Sequence, residues 1–319
     1  MKFVVFGGGT GLSILLRGLK KHTKDITAVV TVADNGGGSG VLREDLGMLP
    51  PGDMRNCITA LADVEPTVIK LLEHRFKEGY LQGQSMGNLL ILAMYEIYGS
   101  YENALKEIGS IFRLSGKVLP MTLKDTHLKG FLDNGDVILG EKEIPAYVKA
   151  NDCKIEEIQL FPDGCKPLEE TLKDIEEADV IILGPGSLYT SVIPNMLIDG
   201  IPEAIKNSKA KVFYVCNLMT QPGETTDYNV LDHVNALKRH IGENIIDYVI
   251  VNESFLPDKM IEKYRDRGSS QILIDDGQVR ELNKDNIQVI IDDFVEVKHS
   301  YVRHNSNKIG KTIKEIMKN

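Results

Sequence analysis

Five short apolar runs in this 319-residue chain each end in a polar, mostly glycine-containing cluster, and that pairing narrows the fold more than any other feature. Residues 2–6 lead into Gly7-Gly8-Gly9-Thr10-Gly11. Residues 26–32 lead into Ala33-Asp34-Asn35-Gly36-Gly37-Gly38-Ser39-Gly40. Residues 179–183 lead into Gly184-Pro185-Gly186-Ser187. Residues 212–216 lead into Asn217 and then Thr220-Gln221-Pro222-Gly223-Glu224-Thr225. Residues 249–251 lead into Asn252-Glu253-Ser254. Continuous β-branched runs suit parallel strands covered on both faces. In an open α/β sheet, ligands bind outside the carboxyl ends of the strands. Five such clusters therefore predict one crevice. Glycine lets backbone N–H groups approach a ligand, and a following helix N-terminus favours anions. The expected ligand carries phosphate and is most simply a nucleotide.

Between the clusters the pattern is helical. Leu12, Leu15, Leu16 and Leu19 follow the i, i+3, i+4, i+7 spacing of a helix packed on a sheet. Helices are expected near 42–46, from Asp53 to 61, and at 65–77, 86–98 and 101–112. Residues 115–161 alternate in short segments around Asp133-Asn134-Gly135-Asp136, a hairpin signal. This stretch reads as a small β-rich insertion. Helix–strand alternation then resumes, with strands expected at 179–183, 211–216, 246–251 and 270–274. A run at 287–291 and a helix over 306–318 end the chain. The expected fold is a single α/β domain over 1–319, a Rossmann-like, doubly wound, mostly parallel sheet carrying the insertion.

The first glycine cluster breaks both common phosphate fingerprints. A dinucleotide motif starting at Gly7 needs glycine where Leu12 stands, and no Gly-Lys-Ser/Thr follows for a P-loop. The dehydrogenase reading is disfavoured on that ground. The turn still offers Gly8, Gly9, Thr10 and Gly11 to a phosphate. Asp34 ends the second run twenty-three residues after Gly11, where a Rossmann unit carries its ribose-binding acid. Alternatively Asp34 and Asp53 hold Mg²⁺, which takes one or two carboxylates beside a phosphate. Or Asp34 closes a turn and Asp53 caps a helix after Pro50-Pro51-Gly52. Asn35, Gly36, Arg55, Asn56 and Asn88 stand near these acids as further ligand contacts. Gly184, Gly186 and Ser187 form a second phosphate loop. Asn217, Gln221, Gly223 and Glu224 suit base or sugar recognition, and Arg303 beside His304 suits a ligand. No nucleophile–base constellation is evident.

Composition limits partners. Lys and Arg number 37 against 46 Asp and Glu, a net charge of −9. That argues against a nucleic-acid or anionic membrane surface. No apolar run approaches the roughly 18 residues of a membrane span. The four cysteines show no zinc spacing. With a strand starting at once after Met1, a cytoplasmic location is expected. A homodimer is compatible with such a sheet.

With these residues in view, the chain resembles the YvcK/CofD family. The matching stretches are GGGTGLSILLRGLK (7–20), TVADNGGGSG (31–40), PPGDMRNCITAL (50–61), GNLL (87–90), LGPGSLYTSVIPN (183–195) and CNLMTQPGET (216–225). A weaker match at 301–304 extends the resemblance over almost the whole chain. The combination of GPGSLYTS and MTQPGET points to the YvcK branch. The resemblance implies a Rossmann-like nucleotide-binding fold. In the branch of the 2-phospho-L-lactate transferase it implies a divalent metal on acids matching Asp34 and Asp53, and transfer from a nucleotide diphospho-substrate. In the YvcK branch it implies a cytoplasmic factor of gluconeogenic carbon metabolism and cell shape that binds a nucleotide sugar such as a UDP-sugar, without a demonstrated reaction; the two loops and the acid after the second strand fit a nucleotide ligand of the UDP-sugar, NAD or GTP class alike. Val41 stands where a basic residue is common, and Gln84 where a histidine often stands. Val41 removes one possible phosphate contact, and Gln84 removes a possible proton-transfer group, which weakens the expectation of catalysis.

Overall fold

β1 (Phe3–Gly7) is buried along its whole length and runs into α1 (Gly9–Leu19), which buries Leu12, Leu15, Leu16 and Leu19 against the sheet. In this computed structural model, which describes residues 1–298 and 300–318, the chain continues with β2 (Ile26–Val30), α2 (Gly37–Leu46), α3 (Gly52–Leu61), α4 (Pro66–Glu73), α5 (Met86–Tyr98) and α6 (Tyr101–Ile111). Next come β3 (Lys117–Pro120), β4 (His127–Leu132), β5 (Val137–Leu139), α7 (Glu143–Asn151) and β6 (Ile155–Phe161). The second half holds α8 (Glu169–Glu176), β7 (Val180–Leu183), a π-helical turn at Leu188–Val192, α9 (Ile193–Met196), α10 (Ile201–Asn207), β8 (Lys211–Val215), α11 (Val230–Ile241) and β9 (Tyr248–Asn252). It closes with α12 (Asp258–Arg265), α13 (Asp276–Lys284), β10 (Gln288–Asp292), β11 (Val295–Lys298), β12 (Tyr301–His304) and α14 (Ser306–Ile316).

Seven strands form one parallel sheet in the order β10-β9-β8-β7-β1-β2-β3. From β1 the chain winds outward through β2 to β3. It then returns to the other side of β1 as β7 and winds away through β8, β9 and β10. The switch point thus falls between β1 and β7, where loops leave the sheet in opposite directions and open a crevice. The strands are short, β-branched and buried on both faces, because helices cover both sides. At their opposite ends the buried Asp174 ties three strands together. It accepts hydrogen bonds from Lys2 Nζ (2.5 Å), the Thr27 hydroxyl (2.7 Å) and Lys117 Nζ (3.1 Å).

The insertion differs from its sequence boundaries. β3 pairs with β2, Val29 opposite Leu119, and so belongs to the main sheet. The inserted part is the antiparallel sheet β5-β4-β6 with α7. Its hairpin does turn at residues 133–136, where the Asp136 carbonyl accepts the Leu132 N–H (3.0 Å). The buried Arg43 of α2 anchors it, donating to the Asp125 carboxylate (2.8 Å) and the Thr126 carbonyl (2.6 Å).

The strand expected at 270–274 is absent. Gln271 makes only an isolated bridge to Met219. Its side chain accepts the Leu256 N–H (3.1 Å) and donates to the Ser254 carbonyl (2.7 Å), which fixes the segment across loop ends. Asp275 then caps α13, and β10 takes the sheet edge beside β9.

Candidate functional site

The switch point is where the two strongest glycine clusters meet. A Cβ on Gly11 would lie 2.6 Å from the Pro185 carbonyl oxygen, so only glycine permits the contact between the loops after β1 and β7. α1 starts at Gly9 with no side-chain cap. The Gly9 N–H donates to Asp53 Oδ2 (2.5 Å), while the Thr10 and Gly11 amides have no acceptor among the described residues. They border a cavity of about 520 Å³ that also takes Gly8, Gly186, Ser187, Asn217, Gln221 and Glu224. That volume is ordinary for a cofactor-sized ligand.

The second loop is more self-contained than its sequence suggests. Glu224 occupies part of the donor set that a phosphate would use. Its carboxylate accepts the Tyr189 N–H (3.2 Å) and the Thr190 hydroxyl (3.3 Å). Burial pushes its pKa up to about 7, and these hydrogen bonds pull the other way. Asn217 and Gly186 clasp each other: Gly186 N–H donates to Oδ1 (3.3 Å), and Nδ2 donates to the Gly186 carbonyl (2.8 Å). Gln221 donates to the Ser187 hydroxyl (2.7 Å).

β12 brings Arg303 and His304 over the same cavity. The Arg303 guanidinium lies over the Tyr301 ring, 5.1 Å from its centroid, and makes no ion pair among the described residues. His304 is half-buried, and desolvation of its imidazole depresses its pKa to about 4. It is therefore neutral near pH 7. Its Nε2 faces the Cys216 carbonyl (3.0 Å), so that nitrogen carries the proton.

A second cavity of about 360 Å³ adjoins the first through Gly8 and Asp53. A Cβ on Gly8 would lie 2.8 Å from Asp53 Oδ2. Asp34, Gly36, Asp53, Arg55, Asn56 and Asn88 line this cavity, as does Arg75, which the sequence did not single out. Asp53 does not cap its own helix; α3 begins at Gly52 after Pro51 with no side-chain cap, and the carboxylate turns to Gly9 instead. Burial, joined by the neighbouring Asp34 charge, pushes its pKa up to about 6 against the Gly9 hydrogen bond. Asp34 closes a local turn by accepting the Gly36 N–H (2.7 Å).

Glu141, between β5 and α7, is the acid that the sequence reading missed. Burial pushes its pKa up to about 7, and the charges of Asp34, Glu224 and Asp53 add to the rise. The insertion thus brings a carboxylate close enough to feel the acids of both cavities, although Glu141 lines neither. No spacing in the sequence connects position 141 with 34 or 224.

Some singled-out residues support the site from outside it. Asn35 fastens the insertion, donating to Glu143 (2.7 Å) and accepting the Lys142 N–H (3.3 Å). Gly184 turns the chain with φ +78°. Gly223 gives room to the Pro145 carbonyl. Neither cavity is lined by these three. Asn252 likewise braces loop ends, accepting the Phe294 N–H (3.0 Å) and donating to Ser254 (2.9 Å). Four of the five clusters, not all five, meet at the crevice. Among the described residues no group of three or more His, Cys, Asp or Glu side chains is arranged to hold a metal.

Comparison with known proteins now assigns the chain. The family model "2-phospho-L-lactate transferase CofD" matches residues 3–295. A "Putative gluconeogenesis factor" of Thermoanaerobacterium thermosulfurigenes is 52% identical over 312 residues, 98% of this chain and 95% of that protein. The "Gluconeogenesis factor" of Bacillus subtilis is 44% identical over 318 residues, 99% of this chain and 98% of that protein. A crystal structure of a UPF0052 family member from Bacillus halodurans superposes with a TM-score of 0.93 at 43% identity, covering 98% of this chain and 99% of that one. The chain belongs to the YvcK/CofD family, on the side of the gluconeogenesis factors.

Proposed function

We propose that this protein is a cytoplasmic factor of gluconeogenic carbon metabolism and cell shape that binds a nucleotide sugar, with the diphosphate over the N-terminus of α1. One observation carries this reading: the unpartnered Thr10 and Gly11 amides open, beside Arg303, into the cavity at the switch point. A helix start without a side-chain cap favours phosphate oxygens. The names of the relatives supply the metabolic context. Among the described residues no helix is long and apolar enough to cross a membrane. Calorimetry or thermal shift with UDP-glucose, UDP-N-acetylglucosamine, NAD and GTP tests the reading. Saturable binding of a UDP-sugar is expected, and silence of the whole panel at millimolar concentration refutes it.

A second reading, metal-dependent transfer from a nucleotide diphospho-substrate, is favoured by the acid pair. Asp34 and Asp53 each have one oxygen occupied by a backbone amide, which leaves one on each for a cation. Mg²⁺ accepts two carboxylates with phosphate and water, so these residues fit it. When bound, it would neutralise charge on a diphosphate. Mg²⁺-dependent product formation supports this reading, and binding without turnover supports the first.

A further inference from the structure

The second cavity holds groups that do not line the first. Three helices open on it. Gly37, Gly38 and Ser39 come from the first turn of α2, Gly52 and Arg55 from that of α3, and Asn88 from that of α5. First-turn amides lack intrahelical acceptors and carry partial positive charge. Neither α2 nor α3 has a side-chain cap.

Two guanidiniums join them. Arg55 donates to the Ser85 hydroxyl (2.6 Å) and Asn56 Oδ1 (2.7 Å), and Arg75 to the Gly83 carbonyl. Neither makes an ion pair among the described residues. They repel each other enough to lower the pKa of Arg55, after the larger effect of its burial. Asp34 and Asp53 balance their charge across the cavity, but each already receives a backbone amide.

An independent observation concerns two buried amides. Asn88 is 2% exposed, lines the cavity, and its Oδ1 has no partner. Gln84, 8% exposed, has an orphaned Oε1 behind Gly38, where a Cβ would lie 2.8 Å away. Buried polar groups are seldom left unsatisfied in a folded protein. An orphan acceptor of this kind suits a ligand hydroxyl, and the guanidiniums suit an oxyanion.

We propose that this cavity binds a second, small ligand alongside the nucleotide, with an oxyanion between Arg55 and Arg75 and a hydroxyl at Asn88. The oxyanion is a phosphate or a carboxylate, and the cavity, at about 360 Å³, is smaller than the first, at about 520 Å³. The subsite extends the nucleotide-sugar reading but does not depend on it.

Calorimetry with inorganic phosphate and with glycerate, each with and without saturating UDP, tests the proposal on the whole chain. At least one probe should bind, keep binding when UDP is present, and weaken about tenfold or more in Arg75→Gln, an exposed residue whose loss leaves the fold intact. The tighter probe identifies the oxyanion. Full competition by UDP would place the anion in the first cavity and overturn the proposal. Unchanged affinity in both Arg75→Gln and Asn88→Ala overturns it too, as does failure of both probes at tens of millimolar. If UDP itself does not bind, the nucleotide reading fails, while the Arg75→Gln comparison without UDP still decides the subsite.

Discussion

Replacing Asp53 by asparagine should stabilise this protein at alkaline pH and leave it nearly unchanged at acid pH. Asparagine keeps an oxygen for the Gly9 N–H, now 2.5 Å from the carboxylate, and removes the charge. Burial is the main reason that the carboxyl ionises at about 6 in the folded chain rather than at 3.8. Below about pH 3 it is protonated in both states and contributes nothing. As pH rises from about 3 to 6 the unfolded chain loses its proton while the folded one retains it, so folding becomes less favourable. Above about pH 7 the full deficit stands. At about 1.36 kcal/mol per pH step, the move from 3.8 to about 6 is worth about 3 kcal/mol, which residual solvent contact reduces to about 2 kcal/mol. Urea unfolding of both proteins at about pH 3 and pH 8 measures it. Asp53→Asn should match the parent at the lower pH and exceed it by about 2 kcal/mol at the higher. Parallel pH profiles, or a less stable variant at pH 8, would refute the argument that burial governs this carboxyl. Mg²⁺ added at pH 8 should close the gap by stabilising only the parent; an equal response of both proteins removes Asp53 from any metal site.

Two other substitutions probe the frame around the site. Asp174→Asn should cost about 3 kcal/mol at pH 7, since it leaves the largely buried Lys2 short of its closest carboxylate. Although burial works the other way, hydrogen bonds from Lys2, Thr27 and Lys117 hold the Asp174 carboxyl below its ordinary value. Its contribution is therefore present above pH 4 and lost as pH falls, and denaturant unfolding at several pH values should show the deficit shrinking in acid. Gly11→Ala should lower stability by about 1–3 kcal/mol, by forcing a methyl group against the Pro185 carbonyl, and should lower UDP-sugar affinity by calorimetry at the same time. Loss of stability with affinity intact would separate the loop contact from binding.

What the sequence made legible was local and periodic. Leu12, Leu15, Leu16 and Leu19 share a helical face, and all four are fully buried against the sheet. The strand–glycine pairs at 2–11 and 179–187 marked the switch point because apolar strands and glycine turns are written into adjacent residues. The misread parts depended on distant partners. Residues 270–274 have strand composition, but Gln271 is committed to Leu256 and Ser254, and the sheet edge goes to β10. Asp53 follows the grammar of a helix cap, yet its acceptor role is toward an amide forty-four residues upstream. Gly223 reads as a ligand-facing glycine, whereas its need for small size comes from Pro145 of the insertion. Glu141 left no trace in the sequence because the folding of the insertion alone brings it to the other acids.

The carboxylates also decide what can bind. Both glycine loops already hold a protein carboxylate on their amides: Asp53 on Gly9, and Glu224 on Tyr189. Burial raises the pKa of each toward neutrality, and Glu141 shares that condition between them. A diphosphate placed over Thr10 and Gly11 adds negative charge beside these groups. Its repulsion favours their protonated forms or a divalent cation that joins acid to phosphate. Anion binding at the proposed site would therefore be linked to proton uptake or to metal binding, and the helix N-termini alone would not set the affinity. On the proposed reading, the same linkage would let a site with several acids take a phosphate in a chain of net charge −9. If the proposed anion binds, local amides and guanidiniums would fix where it rests, and the protonation of Asp53, Glu141 and Glu224 would set how strongly it is held.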